Sequence, residues 1–254
     1  MDWQAPAIIL EMRPHGEHDA IATLLAETEG RRRGLVRGGQ GRRHAALWQS
    51  GNLVAAVWRG RLAEHLGQFT AELIHPAAAL VLDDPLRLAM LAALCATVAG
   101  ALPEQAPHPR VFAGLWCLIE RLSEQGAGPE TAAAGLAELV RFEVALLAEL
   151  GYGLDLTVCA LSGVRDGLAF VSPRSGRAVS RAAAAPWRAR LLPLPGFLRD
   201  PDALVSVADL CAGLRLTGHF LAREGFGVRH LPLPAARRAL YDRVLRLAEP
   251  GPSQ

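Results

Sequence analysis

Between Arg31 and Ala63 the chain carries eight arginines and no acidic residue: Arg31, Arg32, Arg33, Arg37, Arg42, Arg43, Arg59 and Arg61. Guanidinium forks match phosphate oxygens bidentately, and the glycine-rich stretch Gly38-Gly39-Gln40-Gly41 among them lets backbone approach a polyanion. Trp48 and Trp58 lie in the same window, and an aromatic ring exposed in a basic groove stacks unpaired bases. Each tryptophan also suits a core position, and an arginine run also suits a solvated strand face. We take the eight arginines as the expected nucleic-acid-binding residues. Strand register decides which of them face a ligand.

Other chemistry is sparse. His15, Glu17, His18 and Asp19 fall within five residues, but on a hairpin His18 points away from the other three. No further ligands follow at a recognisable spacing, so a polar turn is expected there rather than a metal site or a metal-dependent hydrolase. There is no G-x-S-x-G, no phosphate-binding P-loop and no G-x-G-x-x-G after a strand. Cys117, beside Trp116 in an apolar helix, is expected to be a buried thiol. The chain is expected to be no enzyme and to need no cofactor.

These residues sit in a chain of 254 residues, 51% hydrophobic and 20% charged, with enough apolar surface to exclude disorder. The net charge is only +2, so the basic window is a local concentration, and all 27 cations are arginine. The longest uncharged apolar run, Leu88 to Leu102, is shorter than the roughly 20 residues of a membrane span and reads as a buried helix. The N-terminus lacks the pattern of a signal peptide. Four scattered cysteines without a CxxC pair fit reduced thiols in a cytoplasmic protein.

Five short strand-like runs, Ala7–Met12, Ala20–Ala26, Gly34–Val36, Asn52–Trp58 and Gln68–Ile74, are separated by Gly- and Pro-rich turns. In this reading Arg31 to Arg33 precede the third strand. Five such strands fit an N-terminal OB-fold β-barrel over residues 1–80. An α-helical domain over 81–250 follows. Asp84 and Pro85 suit the cap and first turn of its first helix, Val111–Leu122 its second, and Glu130–Leu150 its third, with Gly151 as C-cap. A β-rich insertion is expected at about 154–185, then helices over Val205–Arg223 and Leu233–Leu247. The fold class is thus α+β and multidomain.

Several motifs resemble the bacterial recombination mediator family RecO. They are Arg13-Pro-His-Gly-Glu-His-Asp19 with Thr23-Leu24-Leu25 and Gly30, Gly34-Leu35-Val36-Arg37-Gly38, and Phe142-Glu143 with Leu146-Leu147 and Leu150 to Leu156. Cys159, Ser162-Gly163, Phe170 to Pro173 and Ser175 to Ser180 are similar to its inserted β element. The resemblance implies a DNA repair and recombination factor. Such proteins bind single- and double-stranded DNA, anneal complementary strands, and act with RecR and RecF to help RecA displace single-strand-binding protein. The C-terminal tail of that protein is a further implied partner. Many relatives hold zinc with two cysteine pairs. Here only Cys159 remains, with Ser162, Ser172 and Ser175 in the other places, so no zinc is expected. Packing of Leu168, Phe170 and Val179 is expected to hold the insertion instead. The alternative from another class is a protein-interaction adaptor with only incidental DNA affinity.

Overall fold

The computed structural model describes residues 2–41, 45–62, 66–124 and 128–248. The chain divides into two compact units, Met1–Ala127 and Gly128–Gln254.

In the first unit, β1 (Asp2–His15), β2 (Asp19–Ala26), β3 (Gly30–Val36), β4 (Leu53–Arg59) and β5 (Gly67–His75) close a barrel in the order β1-β2-β3-β5-β4. This is the expected OB-fold arrangement, with β3 and β5 as its one parallel contact, at Gly34–Gly67 and Leu35–Gln68. β1 is far longer than the apolar run Ala7–Met12. A register shift between Ile9 and Glu11 lets its first half pair with β4 and its second half continue along β2. Alternating residues fill the barrel, including Ala22, Leu24 and Ala26 from β2 and Val54, Ala56 and Trp58 from β4. The opposite face of β1 and β2 is also buried at Ile8, Leu10 and Leu25. A helix packs on that side, α2 (Pro85–Ala101).

A single turn, α1 (Ala77–Leu80), precedes α2 (Pro85–Ala101) and α3 (Pro109–Glu124). Asp84 caps α2 as its sequence indicates, its Oδ1 accepting from the backbone N–H groups of Leu86 and Arg87. Cys117 departs from expectation. It is exposed, because α3 buries the stripe Val111, Leu115, Leu118, Ile119 and Leu122 and position 117 falls outside it.

The second unit holds α4 (Pro129–Glu149), α5 (Val207–Phe220) and α6 (Ala235–Ala248), with a small sheet of β6 (Leu168–Val171), β7 (Ala178–Ser180) and β8 (Leu192–Pro193) in the order β7-β6-β8. Gly151 ends α4 at φ 88°, as its C-cap role requires. A buried ion pair ties the three helices. Arg237 Nε and Nη2 donate to Glu143 Oε1 and Oε2 at 2.5 and 2.9 Å, while Thr217 Oγ1 donates to Oε2. Arg237 Nη2 also reaches the Leu214 carbonyl at 2.8 Å. Glu143 falls within the apolar rhythm of α4, and its charge is tolerated there because every oxygen is bonded.

Two substitutions test this frame. Gly30 sits at φ 67°, and an added Cβ would lie 2.1 Å from the Ala106 carbonyl oxygen. Gly30→Ala should therefore destabilise the first unit by about 2 kcal/mol or more in urea unfolding. Glu143→Leu should cost about 3–5 kcal/mol by stranding Arg237, and adding Arg237→Met should recover most of it. Equal losses in the single and double variants would refute that account of the pair.

Candidate nucleic-acid interface

β3 begins at Gly30, so Arg31, Arg32 and Arg33 lie within the strand rather than before it. The charged run is tolerated because a strand alternates its side chains. Gly30, Arg32, Gly34 and Val36 are buried, while Arg31, Arg33 and Leu35 point outward, with Arg37 just beyond the strand end. In the register Arg31, Arg32 and Arg33 stand opposite Leu25, Leu24 and Thr23 of β2.

The triplet is committed to structure. Arg32, only 8% exposed, lies over the Trp58 ring at 5.7 Å and donates from Nε to the Glu29 carbonyl at 3.3 Å. Trp58, 1% exposed, donates its Nε1–H to the Arg33 carbonyl, and Trp48 is also buried, at 6%. Neither ring is open to a base. β5 diverges from β3 below Gly34, and the segment around Glu104 takes the free edge, with the Gln105 N–H bonded to the Arg31 carbonyl. That docking brings Glu104 Oε1 to 3.4 Å from Arg31 Nη2 and 2.6 Å from Arg33 Nε. The Arg33 side chain still exposes 55% of its surface.

Arg37, Arg59 and Arg61 differ. All three are exposed, and none makes an ion pair among the described residues. Arg59 is paired in register with Gln68, and Gln68 with Leu35, two residues before Arg37. Paired residues point to one side of a sheet, so Arg59 lies roughly 10 Å around the barrel from Leu35, two interstrand spacings. Arg61 enters the β4–β5 loop. The β2–β3 face and the β1–β2 and β4–β5 loops are the ligand face of OB-folds in general. Gly67 allows β5 to pass close here, since a Cβ would fall 2.2 Å from the Trp58 indole. Arg42 and Arg43 lie outside the described residues.

The His15–Asp19 turn is polar and braced. Asp19 Oδ1 accepts from the Gly38 N–H at 2.8 Å, and Gln40 Nε2 donates to the Gly16 and Asp19 carbonyls. No group of metal-ligating side chains occurs among the described residues.

The β insertion has its own hub. Cys159, buried in a turn, accepts at Sγ from the Ser180 N–H at 3.2 Å, with Ser180 Oγ at 3.6 Å. Burial alone pushes this thiol up, but hydrogen bonds from the Ser162 hydroxyl, from Ser180 and from the Leu161 N–H together hold it at about 6. The second turn, Ser172 to Gly176, is pinned to α5 and the turn after it. His219 Nε2 lies 3.1 Å from the Pro173 carbonyl, and Arg223 donates to the Pro173 and Arg174 carbonyls. One thiol among hydroxyls does not fit zinc, and the sulfur is already surrounded by hydrogen-bond donors. Leu168 and Val179 are buried as expected, and Phe170, half-buried, carries Arg188 over its ring.

Comparison with known proteins decides the family. The model for "Recombination protein O N terminal" matches residues 1–77, and that for "Recombination protein O C terminal" matches 82–230. The chain belongs to the RecO family. It is 55% identical to the DNA repair protein RecO of Acidiphilium cryptum over 249 residues, 97% of this chain and 96% of the relative. Its identity to that of Granulibacter bethesdensis is 52% over 254 residues, 98% of each. To that of Gluconacetobacter diazotrophicus it is 51% over 252 residues, 99% of this chain and 98% of the relative. This RecO-family chain thus joins a group whose curated members are DNA repair proteins. Among its described residues no helix is long and apolar enough to cross a membrane.

Glu104 was invisible to sequence reasoning, because it sits in a Pro-rich break about seventy residues from the arginines it meets. The Cys159 hub yields a pH prediction. A thiol whose folded value is about 6, against about 9 ordinarily, stabilises the fold above pH 9 and loses that contribution as pH falls through 6. Cys159→Ala should therefore lower the urea midpoint most at pH 9, with the gap closing towards pH 6. A gap constant across that window would mean the sulfur is not held as a thiolate.

Proposed function

We propose that this chain is a non-enzymatic recombination mediator that binds single- and double-stranded DNA through its barrel and anneals complementary strands. With RecR it assists RecA loading onto single strands coated by single-strand-binding protein, with RecF and that protein's C-terminal tail as further partners. The observation that carries the reading is the set of uncommitted guanidiniums, Arg37, Arg59 and Arg61, on the ligand face of an OB-fold barrel. Membership of a family of DNA repair proteins supports it. Mechanistically, arginines that neutralise phosphates on two strands lower their mutual repulsion and raise local strand concentration. Pairing then accelerates with no bond made or broken.

Each single-strand phosphate contact contributes about 0.7 to the slope of log affinity against log salt. Replacing Arg37, Arg59 and Arg61 by alanine should flatten that slope by about 2 in fluorescence anisotropy and slow annealing, with the thermal melt unchanged. An unchanged slope would remove these residues from the site. Glu104→Gln should tighten binding at low salt, because it releases Arg33. Arg32→Ala should lower stability more than affinity.

A second reading, the protein-interaction adaptor, is favoured by one feature. Leu73 and Ile74 at the end of β5 and Leu80 and Leu82 around α1 are exposed together in sequence. Weak DNA binding with no annealing would select it.

A further inference from the structure

A groove in the second unit combines an apolar wall with cations that the fold does not use. Resting on the DNA-binding reading above, we propose that the groove between α5 and α6 is a second seat for single-stranded DNA, holding one phosphate and one unstacked base.

The cavity measures about 400 Å³, within the roughly 300–1,000 Å³ of pockets that enclose small ligands. Arg215 of α5 and Arg238 of α6 line it, both exposed and both without an ion pair among the described residues. Its deeper wall includes Arg237, 1% exposed. The hydrogen bonds of that guanidinium leave from Nε and Nη2, and no acceptor among the described residues meets Nη1. A buried, pre-oriented guanidinium with one free edge is an anion receptor whose ordering cost the Glu143 pair has already met. Tyr241 and Leu233 supply apolar and aromatic surface for a base. Asp242 at the same site repels phosphate but accepts from a base amine, as an acid does for cytosine N4.

The charge pattern favours a nucleic acid over a protein carboxylate. Besides Arg237, which Glu143 already answers, α6 carries three arginines, at 238, 243 and 246, against the single acid Asp242. One carboxylate would need only the pocket, whereas a polyanion also meets the cations beyond it. Annealing gains from the arrangement, because one chain then holds two strands at two sites, one in each unit.

The experiment uses the full chain and the variant Arg215→Ala/Arg238→Ala, both side chains being exposed. An oligodeoxycytidine bearing a photoreactive cytosine analogue should crosslink to the α6 peptide containing Tyr241 as well as to the barrel. The double variant should lose the α6 crosslink alone, flatten the salt slope by about 1.4 and anneal complementary strands more slowly. Crosslinks confined to the barrel, with slope and annealing unchanged in the variant, would overturn the seat while leaving the barrel reading intact. Wild-type protein that binds no DNA would overturn the barrel reading and the seat together. A labelled acidic peptide with a free C-terminus, captured by wild type and lost by a variant whose DNA slope is unchanged, would overturn the seat and reassign the groove to a protein tail.

Discussion

A guanidinium leaves water only against a partner that replaces its hydration, and this constraint sorts the arginines of the chain into two kinds. Arg237 enters the core of the second unit because Glu143, Thr217 and the Leu214 carbonyl take up its donors. Arg32 enters the barrel wall against Trp58 and Glu29. Arg31 is half-buried and Arg33 exposed, and both share one carboxylate oxygen of Glu104. What these residues hold together is the frame. Arginines with no such partner among the described residues present a whole guanidinium to a polyanion, whereas Arg237 keeps only its Nη1.

Barrel geometry makes the sorting consequential. β3 pairs with β5 over only two positions, so its early half needs another neighbour. The segment around Glu104 fills that edge, and its carboxylate arrives among the cations as a result. The arginines without such a partner among the described residues, Arg37, Arg59 and Arg61, lie just past the end of β3, at the end of β4 and in the β4–β5 loop. A face that seemed from its sequence to hold one continuous basic stripe is divided by a single docked segment.

The β insertion follows the same economy with a different atom. At its hub a single sulfur, that of Cys159, gathers N–H and O–H donors, and a histidine and an arginine hold the adjoining turn by its carbonyls. Hydrogen bonds to the Cys159 sulfur favour its anionic form, which couples the stability of the module to pH.

Local pattern was enough to place the five strands, the Asp84 cap, the Gly151 stop and the apolar face of α4, because each depends on residues within one or two turns of one another. The family was legible for a similar reason: its motifs are short and keep their order along the chain. Three things depended on tertiary structure. Arg31 to Arg33 became strand residues because β2 offered them a register. Cys117 became exposed because the stripe α3 buries was set by its neighbours. Arg33 acquired Glu104, about seventy positions away, because β5 left an edge uncovered. A sequence determines which residue types can carry charge; only the packed chain decides which of those charges are already answered.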